Sequence, residues 1–74
     1  MTDKAEDVRR GLEFLLTVPD STRRLDRPGM GEVEAFGILR ELTPWFNARD
    51  YRVFIGIIAT SRLSPTGGWT FFVV

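Results

Sequence analysis

The side chains best suited to proton transfer and nucleophilic attack near neutral pH are missing from this sequence, which has no histidine and no cysteine. A general base or nucleophile would have to come from elsewhere. Lys4 is the single lysine and sits near the start of the chain. Glu32 and Glu34 are two residues apart. On a helix that spacing puts them on different faces, where they answer the positive end of the helix dipole and do not converge on a substrate. Asp50, between Arg49 and Arg52, reads as a solvated junction. Gly67-Gly68 has no lysine beside it and no helix after it, so it reads as a turn and not a phosphate cradle. Without Cys or His the usual zinc sets are excluded. No Asp-rich stretch has the rhythm of a calcium or magnesium loop. These residues predict a non-enzymatic protein with no cofactor and no metal.

Binding chemistry is more promising. Ten acidic residues balance nine arginines and the lysine, so no global field draws in nucleic acid or an anionic membrane. Arg23, Arg24 and Arg27 cluster in one polar stretch as candidate anion contacts, with Asp20 and Asp26 beside them to neutralise part of their charge. Arg52 and Phe54 share a strand face, and an aromatic sheet face can stack bases. A nucleic-acid-binding module using the arginine stretch and that face is therefore the alternative reading. The basic-glycine-aromatic signature of RNA-binding sheets is absent.

The elements that must position these residues follow from spacing. Asp3 as N-cap with Glu6 three residues on, and apolar residues at Ala5, Val8, Leu12, Leu15 and Leu16, predict an amphipathic helix over 3–17, with Phe14 and Val18 widening its apolar face. Pro19 ends it. Residues 19–30 are polar, with Leu25 and Met30 as the sizeable apolar exceptions, and read as a linker. A second helix is predicted over 31–42, with Val33, Phe36, Leu39 and Leu42 as its stripe, Ala35, Ile38 and Trp45 alongside, and Gly37 as a point of close packing. Thr43-Pro44 reads as a cap and fresh start, giving a short turn over 44–47.

Strands are predicted over 51–63 and 68–74, rich in β-branched and aromatic types. Ser64-Pro65-Thr66-Gly67 matches a tight turn between them. That turn sets Leu63 against Trp69, Ala59 against Val73 and Ile58 against Val74. Residues 51–57 are then left without a partner.

The fold class is α+β, a single small domain of two helices and a C-terminal antiparallel hairpin, its sheet completed by a second chain. Both sheet faces carry large apolar groups, and two helices cover one of them. Arg52, Phe54, Gly56, Ile58, Phe72 and Val74 form the second face and are the candidate partner-binding residues, since Trp69 lies on the other. An unpaired apolar strand invites another strand. The predicted function is a protein-protein interaction module, pairing with itself as a homodimer or adding its strand to a larger assembly as an adaptor, inhibitor or accessory factor. Two other outcomes suit the same pattern: a hairpin curled over the helices, or a longer chain that supplies the missing strand. The acidic, polar start is unlike a secretory leader, and no apolar run approaches a membrane span. A cytoplasmic protein without membrane contact is expected.

Overall fold

The computed structural model describes residues 1–63 and 65–74 of the 74-residue chain. The element order is α1 (Asp3–Thr17), β1 (Arg24–Pro28), α2 (Glu32–Asn47), β2 (Val53–Ile58) and β3 (Gly68–Val73). The strands form one antiparallel sheet in the order β1-β3-β2, and both helices pack on one face of it.

Helix α1 spans the residues that the apolar spacing predicts. Its cap is Thr2 and not Asp3: the Thr2 hydroxyl accepts from the Ala5 N–H at 3.2 Å. Glu6 turns outward and pairs with Arg9. Ala5, Val8 and Leu12 are buried, whereas Phe14 and Val18 are exposed. Helix α2 runs unbroken through Pro44, so the predicted stop at Leu42 is corrected. The Thr43 hydroxyl donates back to the Leu39 carbonyl at 2.7 Å. Continuing the helix carries Phe46 into full burial beside Leu42, Ile38 and Ala35, which outweighs the hydrogen bond that proline forfeits. This stripe replaces the predicted one, because Val33 and Phe36 are exposed. Gly37 is no close contact either: a β-carbon there would have no neighbour within 4 Å.

Two findings correct the predicted sheet. The stretch read as linker supplies a strand, β1, which pairs along β3 from Arg24 opposite Phe72 to Pro28 opposite Gly68. Leu25 anchors it by packing against Gly11 of α1, where a β-carbon would lie 2.8 Å from Leu25 Cδ2. The third strand therefore comes from the same chain. The second correction is the register. Ile58 pairs with Gly68 and not Val74, a slide of six residues that brings Val53 opposite Val73. Residues 51–57 are thus bonded within the chain, and β2 ends at Ile58 while β3 begins at Gly68. The predicted turn begins at Ser64, which lies outside the described residues. Because six is even, the slide leaves every side chain on its predicted face.

Val53, Phe71 and Val73 close the core from below the helices, with Leu25, Ile55, Trp69 and Tyr51 packed at its margin. Two guanidinium groups approach the Trp45 ring, Arg9 at 4.8 Å and Arg49 at 3.4 Å from its centre. Among the described residues no helix is long and apolar enough to cross a membrane.

Candidate protein-interaction surface on the outer sheet face

Strand alternation sorts the sheet into two faces. The residues that pack on the helices, Val53, Ile55, Trp69, Phe71 and Val73, alternate with those of the outer face. The outer face is built in rows: Arg24, Phe72 and Phe54; then Asp26, Thr70 and Gly56; then Pro28, Gly68 and Ile58. Arg52 and Val74 extend it at one end, where their backbones exchange hydrogen bonds of 2.8 and 2.9 Å. All six predicted partner-binding residues, Arg52, Phe54, Gly56, Ile58, Phe72 and Val74, therefore share this face. They are not equally open: Phe54 is 53% exposed and Val74 is exposed, while Phe72, Gly56 and Ile58 are half-buried.

The middle of the face is polar and satisfied. Thr70 is only 2% exposed, and its hydroxyl donates to Asp26 Oδ1 at 2.7 Å. The same oxygen accepts from Arg24 Nε at 3.2 Å. The Thr70 hydrogen bond, helped by Arg24, holds the Asp26 carboxyl below its usual range against the opposing effect of burial. The Arg24 guanidinium also lies 5.8 Å from the centre of the Phe72 ring.

The three arginines of the polar stretch do not converge on one anion site. Arg24 belongs to the outer face, whereas Arg27 is turned to the helix side and bonds Asp7 at 3.2 Å. Arg23 precedes the strand in a left-handed conformation, φ 54°, with its N–H donating to Ser21 Oγ. Among the described residues, no group of three or more acidic side chains could hold a metal ion.

The two sheet edges differ in kind. The mutual bonds of Arg52 and Val74 fix the alternation along β2. Phe54, Gly56 and Ile58 direct their backbone groups toward β3, and Val53, Ile55 and Ile57 direct theirs outward. The Tyr51 N–H is taken by the Phe46 carbonyl, at 3.0 Å, so the open edge begins at Val53. Among the described residues no strand lies beyond it. At the opposite edge, the bond from Val73 N to Arg23 O turns Arg24, Asp26 and Pro28 outward. Two charges and a proline are the devices that keep an edge strand from pairing. The edge of β2 has none of them, and residues 53–61 carry no charge.

Beside this edge lies apolar surface that the sequence pattern assigned to the core. Ile57 is 73% exposed, and on α2 Val33 is 89% and Phe36 48% exposed. Phe36 packs edge-on against Trp69 with ring centres 5.5 Å apart. Their positions are settled by the order of the layers, which periodicity alone does not specify. No protein-family model, curated protein or solved structure shows a significant match to the chain.

Proposed function

We propose that the chain is a non-enzymatic protein-interaction module that extends its sheet through β2, either with itself or within a larger assembly. One observation carries the reading: β2 is an uncharged edge strand with outward backbone groups at Val53, Ile55 and Ile57, while the opposite edge is guarded. Main-chain hydrogen bonds supply affinity in strand addition, and alternate side chains supply selection. Here Phe54 offers an aromatic anchor on the outer face.

Amide hydrogen exchange tests this reading. In an isolated chain at low concentration the Val53, Ile55 and Ile57 amides exchange as open groups. They slow when the concentration is raised, or when uncharged strand-forming peptides are added, and Phe54→Asp removes the protection. Amides that exchange as open groups under every condition overturn the reading. Salt-sensitive retention on a polynucleotide resin, lost on Arg24→Ala, would replace it with nucleic-acid binding.

A further inference from the structure

Resting on that reading, we infer that the strand received by β2 is the β2 of a second copy, antiparallel about a two-fold axis through Ile55. The open edge consists of three outward-facing residues, bounded on one side by the internal bond of Tyr51. A two-fold axis at Ile55 sets Val53 against Ile57 of the other copy, Ile55 against Ile55, and Ile57 against Val53. It is the antiparallel register that uses all three outward positions of both strands, as three hydrogen-bonded pairs.

The side chains are self-complementary in this register. On the outer face it sets Phe54 opposite Gly56 of the second copy. Gly56 has no side chain to obstruct the ring, and the Phe72 ring already overlies it, 3.2 Å from where a β-carbon would stand. The four rings of Phe54 and Phe72 from two copies then form one aromatic band across the join. On the helix face, the exposed Ile57 gains Val53 of the second copy as its cross-strand neighbour.

Helix α2 agrees with this placement. Its bonds to α1, from Lys4 to Glu34 and from Thr2 to Glu41, together with Arg9 over Trp45, fix the side turned toward α1. α1 packs over β1 and β3, and α2 over β2 and β3. By the helical period, Phe36 and Thr43 lie about half a turn from the α1 side, on the flank above the open edge, whereas Arg40 and Val33 point away from the buried stripe of Ala35, Ile38, Leu42 and Phe46. A two-fold at Ile55 brings the two α2 flanks toward each other. The exposure of Phe36 falls where a second copy would cover it. The paired strands themselves carry no charge.

Because the chain has no cysteine, single cysteines report which residues meet their own copy. Ile55→Cys is expected to oxidise to a covalent dimer fastest among substitutions at positions 53 to 57, its α-carbons lying within disulfide range. Phe54→Cys and Gly56→Cys are expected to crosslink poorly alone and efficiently when mixed, a readout independent of the half-buried Ile55. Light scattering should give twice 8.4 kDa. Ile57→Pro, which removes an outward N–H and no bond to β3, should return the mass to one copy with circular dichroism unchanged. Crosslinking that peaks at position 53, 54 or 57 alone overturns the register, and masses that grow past two copies overturn the two-fold. A single-copy mass with edge amides that a foreign strand peptide still protects overturns this inference and leaves the interaction module standing. A single-copy mass with amides that nothing protects overturns both.

Discussion

The ring of Phe72 lies across Gly56 of the neighbouring strand, so that a β-carbon at position 56 would sit 3.2 Å from Phe72 Cε2. The contact is tight, but the neighbour is a half-buried side chain and not backbone. Gly56→Ala is therefore expected to change the stability of one copy by less than about 1 kcal/mol, the smaller unfolded-state entropy offsetting the push on the ring. The Phe72 ring resonances should shift. Dimerisation should weaken several-fold, because the new methyl group meets Phe54 of the other copy. Parallel urea melts and dilution light scattering check both.

Gly68 stands in the opposite situation. Its φ is +132°, and a β-carbon would lie 2.5 Å from the Arg27 carbonyl oxygen and 2.7 Å from Gly29 N. Those atoms are backbone and cannot swing aside. Gly68→Ala is expected to cost about 3 kcal/mol or more, since strain and overlap add. A domain of this size has little stability to spare, so the variant should be largely unfolded by circular dichroism at room temperature.

Gly37 offers a stabilising change. It lies inside α2, and a β-carbon there meets nothing within 4 Å. Gly37→Ala should raise stability by about 0.5–1 kcal/mol through helix propensity. A urea midpoint shifted upward with an unchanged slope confirms it.

Acid should weaken the fold through its carboxylates. Asp26, held down first by the Thr70 hydroxyl and then by Arg24, loses protons more readily folded than unfolded. Glu41, through the Thr2 amide and hydroxyl, and Glu6, through Arg9, are shifted the same way. In each case the unfolded state binds the proton more tightly. The stabilising contribution is complete above the ordinary carboxylate range and is lost as pH falls through it to the lower folded values. Thr70→Val should raise the Asp26 pKa toward ordinary and shrink its share of the acid loss, read by NMR titration of the Asp26 carboxyl. The cost at neutral pH should be about 1 kcal/mol or less, because Asp26 is exposed and water replaces the lost bond. An unmoved Asp26 titration would show that Thr70 does not set it.

Face assignments were legible in the sequence where register was not. Alternation places Phe54, Gly56 and Ile58 together, the turn-set register adds Phe72, and a slide of six could not separate them because strand periodicity is two. A register read from a four-residue turn motif rests on local preference alone, and the observed register follows burial instead. Sliding β3 set Val73 against Val53 and Phe71 against Ile55, under the helices. Strand β1 was hidden because one apolar side chain, Leu25, anchors it. Its other supports are partners distant in sequence, Asp26 with Thr70 and Arg27 with Asp7. Helix α2 read short because Pro44 is a local stop signal, overridden by Phe46, whose burial depends on tertiary packing.

The strand order places the last-made strand between the two made earlier. Whatever surrounds this segment, a ribosome releases β1 and β2 before β3, and among the described residues each of them pairs with β3 alone. Both ladders of the sheet therefore wait on β3, by which point α1 and α2 have already been released. During that interval the uncharged β2 ribbon has both of its edges open.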